Sequence, residues 1–267
     1  MKKWRKVIST VLFLIFLGIF VFSAWKLWGI YSEYQNGIKA YEQITEQFVK
    51  TESVRDKKGT AGAGAATVAS AETESEIEEP LFPDVDFQAL KAVYPDVKAW
   101  IYCKGTPINY PIAWREDNEY YLYRLLNGEY DKGGTLFADC RNQPDFSDWN
   151  TIVYGHNMKN DAMFGVLPDY MEQEFYEKHP VMYLLTEEQN YEIRLIGGYV
   201  TPADAEIYRL LSSQAERDAL IHAVSRASSF DADVSVGAEE KLITLSTCVY
   251  DYEDARYILV GALKKLP

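Results

Sequence analysis

The 267-residue chain contains few of the residues that build metal centres or disulfide scaffolds, with only three cysteines and three histidines. An odd number of cysteines leaves at least one unpaired unless it pairs between chains, and three are too few for a disulfide-stabilised scaffold. His156, His179 and His222 have no metal-ligand spacing among themselves or with the cysteines, which argues against a zinc site. A glycine-rich phosphate loop of the GxGxxG or Walker type is also missing. We therefore expect no metal and no nucleotide cofactor.

A basic surface is missing as well. The net charge is −13, and because the first six residues, MKKWRK, contribute +4, the rest of the chain carries −17. Nucleic-acid binding needs basic groups that neutralise phosphates, so an acidic body argues against a nucleic-acid partner. Apolar residues are abundant at 48%, with 20 tyrosines and 12 phenylalanines. This composition supports a sizeable core and favours a β-rich globular protein.

An uncharged run, VISTVLFLIFLGIFVFSAW, covers residues 7–25. Its length approaches the roughly 20 residues that a helix needs to cross a bilayer. A signal peptide is the alternative, but its apolar region is about 7–15 residues and ends in a small-residue cleavage site. Here Trp25 and Trp28 flank Lys26, as in an interfacial anchor. Four basic residues precede the run, so we expect residues 1–6 in the cytoplasm, an anchor at 7–28 and the remaining chain outside the membrane.

Residues 29–80 are predicted to form a helical stalk followed by a flexible linker that tethers the next domain. In the stretch 31–54, four apolar residues recur at helical spacing: Ile38, Tyr41, Ile44 and Phe48. This pattern fits either a solvated stalk helix or a helix that packs on the domain. The stretch 59–80, GTAGAGAATVASAETESEIEEP, is small, polar and acidic, which is the composition of a flexible linker.

From residue 81 onward the composition is that of a folded domain. A short helix and a strand are predicted within residues 82–105, and a longer helix over residues 205–228. Five apolar residues of the longer helix share one face: Ile207, Leu210, Leu211, Ile221 and Val224. Turn residues separate the further strand-like runs, which are GGTLFADC, NTIVYGH, YEIRLIGGYV, KLITLSTC and RYILVGALKK. Short strands with one late helical insertion predict a β-barrel decorated by helices.

Cys248 ends one of these runs, and Arg256 begins the next run eight residues later. Side chains alternate along a strand, so Thr244, Ser246 and Cys248 share one face. If the two runs pair as a hairpin, Cys248 and Arg256 stand at opposite ends of the loop 249–255 and become neighbours. A guanidinium beside a thiol favours the thiolate, which is the nucleophilic form. It can also donate hydrogen bonds to the oxyanion that forms when a carbonyl is attacked.

His156 is the candidate proton carrier for such a nucleophile. It follows the run TIVY and Gly155, where the backbone can bend, and strand ends on one rim of a barrel can converge. Each residue also has a simpler interpretation, because a lone cysteine usually packs in a core and a lone histidine or arginine usually lies at the surface. His179, in the turn-like EKHP, and His222, at the border of a helix face, fit that interpretation.

Longer motifs are more specific than these three residues. GGTLFADCRN, DWNTIVYGHNMKNDAMF and TLSTC with a following arginine resemble the class B sortases, and so does the long helix before the last motif. The resemblance extends from about Phe82 to the C-terminus. It implies a mainly β, sortase-like closed barrel of about eight strands in residues 81–267. N-terminal helices, a long helix before the catalytic strand and a single N-terminal transmembrane helix complete the expected fold.

The resemblance also implies a function, that of a membrane-anchored cysteine transpeptidase on the surface of a Gram-positive cell, without a cofactor. Three residues fall on the family's catalytic positions: His156, Cys248 and Arg256. Three neighbours are expected to be accessory or substrate-binding residues: Ser246, Thr247 and Asn157. Family substrates are secreted proteins with a C-terminal sorting signal of the type Asn/Ser-Pro-x-Thr-Gly/Asn, cut after threonine. The acyl group passes to an amine of a peptidoglycan precursor or a pilin.

Two other functions remain open from the residues alone. A cysteine peptidase or hydrolase would use the same Cys248 and His156 with water as acceptor, and a membrane-tethered binding protein would merely bury Cys248. Three acidic residues of the loop either orient His156 or are solvated: Asp251, Glu253 and Asp254. Cys103 and Cys140 are both expected at buried apolar positions, without a functionally required disulfide.

Overall fold

The computed structural model describes residues 2–50 and 82–267. The α-helices in these residues are α1 (Lys2–Phe48), α2 (Phe87–Val93), α3 (Gln173–Lys178) and α4 (Gln214–Ala227). Short 3-10 helices occupy Tyr120–Leu122, Leu167–Met171 and Glu206–Tyr208. The strands are β1 (Val49–Lys50), β2 (Asp84–Val85), β3 (Val97–Tyr102), β4 (Asn109–Ala113), β5 (Leu136–Ala138), β6 (Asn150–Tyr154), β7 (Val181–Leu185), β8 (Tyr191–Pro202), β9 (Lys241–Cys248) and β10 (Ala255–Lys265).

Strands β3 to β10 close into a barrel in the order β10-β8-β7-β3-β4-β5-β6-β9, with β9 paired to β10. The β4–β5 and β6–β9 pairs are parallel and the other pairs are antiparallel. The predicted closed barrel of about eight strands is confirmed. The strand-like runs chosen from the sequence omitted β4 and β7. Pro111 obscures β4, and β7 is a five-residue apolar run whose periodicity cannot separate a strand from a helix.

Both faces of β10 are buried, and this explains the position of α4. Leu259 belongs to the main core, whereas Ile258 and Val260 on the alternate face belong to a second cluster with Val224 of α4. Gly197 of β8 allows the close approach of the helix, since a Cβ there would lie 2.9 Å from a methyl carbon of Val224. The helix therefore covers the barrel on the side of the last strand pair.

The long helix starts later than the predicted residue 205. Ile207 lies in a separate 3-10 helix, and α4 begins at Gln214 after an N-cap in which the Ser213 hydroxyl accepts from the amide of Glu216 at 3.3 Å. Ile207 and Val224 are buried as predicted, but Leu210 is 39% exposed and precedes the helix. The apolar spacing extended the prediction across a boundary that the N-cap sets.

The predicted anchor and stalk form one continuous helix. The segment Leu12–Gly29 of α1 has a mean hydropathy of 1.9 and none of it is buried. Within residues 2–50 and 82–267, it is the one helical segment long and apolar enough to cross a membrane. At the other end of α1, Tyr41, Ile44 and Phe48 are buried in the main core. The C-terminal end of α1 therefore packs on the domain, which is the second of the two possibilities for this stretch.

The chain returns to α1 after the part that the structure does not describe. Val49 pairs with Val85 and Lys50 with Asp84 in an antiparallel two-stranded sheet, and the amide of Asp86 donates to the oxygen of Phe48 at 2.8 Å. The predicted linker at 59–80 lies outside the described residues. Both flanks of the segment 51–81 meet at this sheet, so α1 also contacts the barrel domain by direct packing.

Candidate active site

Cys248 and Arg256 face each other across the pair formed by β9 and β10. Arg256 is the register partner of Cys248, and Ile258 is the partner of Ser246, which confirms the predicted hairpin. The amide of Val249 donates to the oxygen of Ala255 at 3.0 Å and closes the loop that joins the strands. Opposite residues in such a pair have Cβ atoms about 4.5–5.5 Å apart. The thiol and the guanidinium therefore start from adjacent points on one rim of the barrel.

His156 reaches the same rim through the parallel partner of β9. Tyr154, the last residue of β6, pairs with Ser246. The ladder continues beyond the strand, because the amide of Gly155 donates to the oxygen of Ser246 at 3.1 Å. One residue further along each chain, His156 comes alongside the end of β9 that carries Cys248. Three strands in a row thus supply the three candidate residues.

Two of the predicted accessory residues use their polar groups to fasten these strand ends together. The Thr247 hydroxyl donates to the oxygen of Gly155 at 2.8 Å, and the side-chain amide of Asn157 donates to the oxygen of Cys248 at 2.8 Å. Each bond crosses between the chain that carries the histidine and the chain that carries the cysteine. In the structure these two side chains therefore bind backbone and hold the candidate residues in register.

Gly155 is needed for space. A Cβ at this position would overlap Leu136 and Phe164, which pack directly beneath it. The prediction placed a backbone bend at this glycine, but the close approach of two core side chains is the physical reason for it. Any larger residue would push His156 away from the rim.

The imidazole of His156 has a defined orientation. Its Nε2 lies 2.7 Å from the oxygen of Leu122, and its ring centroid is 5.4 Å from that of Tyr123. A carbonyl can only accept a hydrogen bond, so Nε2 carries a proton and Nδ1 is the nitrogen that can exchange one. The acidic loop residues are all exposed: Asp251, Glu253 and Asp254. The polar partner that orients the ring in this structure is thus a backbone carbonyl.

Cys248, His156 and Arg256 all line one groove of about 690 Å³. A volume of this size can hold a small ligand or a few residues of an extended peptide. Residues 203–206, 208 and 209, which follow β8, form one side of the groove, and we call the segment 203–209 the groove wall. Asn118, Leu122 and Thr135 also contribute to the lining.

The groove also contains an ion pair, not identified from the sequence, between a buried carboxylate and a half-exposed arginine. The Asp139 carboxylate is completely buried and accepts hydrogen bonds from Arg141 Nη2 at 2.6 Å, from Arg141 Nε at 2.8 Å and from the Tyr154 hydroxyl at 2.7 Å. Burial by itself would raise the pKa of Asp139, but the hydrogen bonds from Arg141 and Tyr154 outweigh it and lower the pKa to about 2. Asp139 is therefore a carboxylate at every physiological pH.

Tyr208 of the groove wall was likewise not identified from the sequence. Its hydroxyl lies 2.8 Å from that of Ser246, and its ring stacks on Tyr154 with centroids 6.2 Å apart. Burial raises the pKa of Tyr208 to about 12, so the hydroxyl stays neutral. The predicted accessory residue Ser246 is therefore held by a tyrosine 38 residues earlier in the chain.

The other cysteines do not line this groove. Cys103 is buried, with Sγ 3.7 Å from the Tyr170 hydroxyl, and burial raises the pKa of its thiol. Cys140 is only half-buried, so the prediction of a buried position is wrong for this residue. Strand β5 ends at Ala138, and the alternation used to place Cys140 does not continue past the strand end. All three thiols are free.

The remaining histidines fit the simpler interpretation. His179 follows α3, where its Nδ1 lies 3.1 Å from the oxygen of Lys104. His222 is on the exposed side of α4. Of the three histidines, His156 is the one that lines the groove with Cys248.

Comparison with known proteins identifies the family. Residues 104–264 match the family model of the sortase domain. Sortase B of Listeria monocytogenes is 31% identical over 264 residues, which cover 98% of each chain. The Staphylococcus aureus sortase B–substrate complex aligns with a TM-score of 0.64 and 30% identity, over 68% of this chain and 85% of that one. A sortase B structure complexed with triglycine aligns with a TM-score of 0.63 and 30% identity, over 68% and 86%. The chain therefore belongs to the sortase family of cysteine transpeptidases, and within it to class B.

Proposed function

We propose that this sortase is membrane-anchored, cuts secreted proteins at a C-terminal sorting signal, and joins the new acyl group to an amine, with Cys248, His156 and Arg256 as its catalytic residues. One observation carries the proposal. The cysteine and the arginine are direct partners on paired strands, and the histidine lines the same groove from the neighbouring strand end.

The first half of the reaction forms an acyl-enzyme. The Cys248 thiolate attacks the carbonyl carbon of the threonine in the signal, and the carbonyl oxygen becomes an oxyanion. Arg256, across the strand pair, donates hydrogen bonds to that oxyanion and binds the threonine. When the C–N bond breaks, His156 gives its proton to the leaving amine, and a thioester to Cys248 remains.

The second half transfers the acyl group. The acceptor amine enters the groove, gives a proton to the now neutral His156 and attacks the thioester carbonyl. The C–S bond breaks, the thiolate is regenerated and a new amide is released. One amide is exchanged for another, so the reaction needs no redox partner and no energy source. Amine must react in preference to the abundant water, and this requires a positioned acceptor.

The substrate and acceptor are proposed by class. The signal is of the type Asn/Ser-Pro-x-Thr-Gly/Asn, cut after threonine, and the acceptor is an amine of a peptidoglycan precursor or a pilin. Sortase B structures solved with a substrate and with triglycine support an extended peptide and an amine-bearing acceptor as the two ligands of this fold. The groove of about 690 Å³ has room for a short peptide segment at Cys248.

We also propose the membrane topology. Residues 1–6 lie in the cytoplasm, residues 7–28 cross the bilayer, residues 29–80 contain the stalk and the connecting segment, and the catalytic domain, residues 81–267, lies outside. The apolar segment Leu12–Gly29 and the basic residues before it support this orientation. Protease added to intact protoplasts should remove the domain, and protection of Cys248 from the outside would contradict this topology.

The enzymatic proposal is tested with the full-length protein in detergent micelles. Peptides with each variant of the signal are incubated with triglycine, a lysine side chain or a diaminopimelate-type amine, and products are identified by mass spectrometry. We expect cleavage after threonine and a new amide to at least one amine. Cys248→Ala should give neither. If every amine leaves only the free acid at an unchanged rate, the protein acts as a hydrolase and the transpeptidase proposal fails.

A further inference from the structure

We propose that Asp139 and Arg141 are positioning residues whose ion pair clamps the groove wall, residues 203–209, onto the rim of the barrel beside Cys248. The clamp would set the position of the wall against which the peptide lies. Its effect on catalysis rests on the proposed function, whereas its effect on the wall itself does not.

Hydrogen bonds to both oxygens fix the orientation of the Asp139 carboxylate. Asp139 follows β5, and its amide donates to the oxygen of Ile152 at 2.8 Å. Its Oδ1 accepts from the amide and the Nε of Arg141 at 2.9 and 2.8 Å. Its Oδ2 accepts from Arg141 Nη2 at 2.6 Å and from the Tyr154 hydroxyl at 2.7 Å. A buried carboxylate with this many donors fixes the plane of the guanidinium that binds it.

The same guanidinium reaches the groove wall. Arg141 Nη2 donates to the main-chain oxygen of Tyr208 at 3.0 Å, across 67 residues of sequence. One nitrogen thus connects the carboxylate after β5 with the backbone after β8. A lysine places a single ammonium there and lacks the planar fork that binds both oxygens of Asp139 while also reaching the wall.

The clamp acts on a wall residue, Tyr208, that contacts β9 close to the reacting cysteine. The Tyr208 hydroxyl lies 2.8 Å from the hydroxyl of Ser246, two residues before Cys248. The Tyr208 ring also stacks on Tyr154 at an interplanar angle of 19°, and Tyr154 donates to the same Asp139. The Asp139 carboxylate therefore orders the Tyr154 ring directly, and through Arg141 it orders the backbone of Tyr208, whose ring stacks on Tyr154.

Other contacts also hold the wall, and they define the competing explanation. Arg209 Nη2 lies 3.5 Å from Glu216 Oε1 of α4. Ile207 is buried in the cluster beneath α4, and the amide of Ala203 donates to the oxygen of Asp254 at 3.1 Å. If these contacts are sufficient, the ion pair is redundant for the wall. Direct measurement of wall mobility separates the two explanations.

The test uses Arg141→Lys and Asp139→Asn in the full-length protein in detergent. The matched control is the ion pair of Arg194 and Glu240, whose nitrogen and oxygen are 2.5 Å apart and whose side chains are about one-fifth exposed, outside the groove lining. Arg194→Lys and Glu240→Gln disturb a comparable pair elsewhere on the barrel. If Asp139→Asn fails to fold, Arg141→Lys still tests the proposal, because the buried carboxylate of Asp139 then keeps a positively charged partner.

Four quantities are measured for each variant: the hydrogen exchange of residues 203–209 without substrate, KM and kcat with the sorting peptide, and the alkylation rate of Cys248 by iodoacetamide. We expect exchange at Tyr208 and Arg209 to accelerate at least fivefold and KM to rise at least fivefold. Both kcat and the alkylation rate should stay within about twofold, because the small reagent does not need the wall. The control variants should leave exchange in 203–209 and KM unchanged.

Unchanged hydrogen exchange of residues 203–209 in Arg141→Lys would overturn the clamp and show that the other wall contacts are sufficient. Faster hydrogen exchange of residues 203–209 with an unchanged KM would show that the position of the wall does not affect peptide binding, and this would overturn the positioning role. Equal losses in kcat and in alkylation would show that the pair acts on the cysteine itself, which also contradicts the proposal. If the wild-type protein cleaves no sorting peptide, the proposed function fails alone, since the exchange measurement needs no substrate.

Discussion

The side-chain amide of Asn157 donates a hydrogen bond of 2.8 Å to the main-chain oxygen of Cys248. This bond ties the residue after the candidate histidine to the candidate nucleophile itself. With the bond from Thr247 to Gly155 at 2.8 Å, it extends the β6–β9 pairing past the last strand residues. The distance between imidazole and thiol therefore depends on side-chain-to-backbone bonds in addition to the strand ladder.

Asn157→Ala should reduce kcat/KM for the sorting peptide by about two- to tenfold. A net hydrogen-bond contribution of roughly 0.5–1.5 kcal/mol corresponds to a change of this size if the bond matters to the geometry of the transition state. Asn160→Ala is the matched control, because Asn160 is exposed on the same loop. Equal kcat/KM values for the two variants would show that the bond to Cys248 does not set the geometry.

Arg256→Lys should be nearly as damaging as Arg256→Ala. Lysine keeps the positive charge opposite Cys248 but loses the planar fork that can hold a carbonyl oxygen and a second group at once. Steady-state kinetics with the sorting peptide measures the loss of kcat/KM. Arg226→Lys, at the exposed end of α4, controls for the general effect of replacing an arginine by a lysine. Wild-type-like activity of Arg256→Lys would reduce the role of the arginine to general charge.

The segment 51–81 should be replaceable by a short turn. Lys50 and Asp84 are direct partners in an antiparallel sheet, so a few glycine-rich residues can join them as in a hairpin. We expect this replacement to keep the melting temperature and kcat/KM of the full-length protein. By contrast, Phe48→Ala, which removes a buried contact between α1 and the barrel, should cost about 3–5 kcal/mol of stability. Loss of peptide cleavage in a folded replacement variant would mean that the segment contributes to the site.

The Asp139 pair predicts a specific acid dependence of stability. The pKa of Asp139 is lowered to about 2 in the folded protein, against roughly 3.9 in an unfolded chain. The stabilisation is therefore complete above about pH 4 and is lost as the pH falls through 2, and a shift of this size corresponds to about 3 kcal/mol. Thermal melts of wild type and Asp139→Asn between pH 2 and 7 should show a constant difference above pH 4 that shrinks below it. A difference that grows on acidification would contradict the assigned direction.

Local pattern was sufficient to predict the hairpin at the centre of the site. The strand period and the seven-residue loop place Cys248 opposite Arg256, and the structure has this register. The position of His156 on the same rim of the barrel was also predictable, because His156 ends a strand-like run. The N-terminal boundary of α4 was missed although Ser213 and Glu216 have the S-x-x-E spacing of a capping box.

The groove wall was not predictable from pattern, because its contacts join distant parts of the chain. Arg141 reaches Tyr208 over 67 residues, and Tyr208 reaches Ser246 over 38. Asp139 and Arg141 lie in the turn after β5, where strand alternation no longer applies, and nothing local indicates that Arg141 also reaches Tyr208. The docking of α1 was undecided for the same reason, since an apolar helix face does not specify what covers it.

The most direct test of the account is the site of the acyl-enzyme. The full-length protein is mixed with a peptide that carries the sorting signal, without amine, and intact mass and peptide mapping are recorded. We predict one adduct, equal to the peptide up to and including threonine, on Cys248, which disappears when triglycine is added. An adduct on Cys103 or Cys140, or one that persists in Cys248→Ala, would contradict the account.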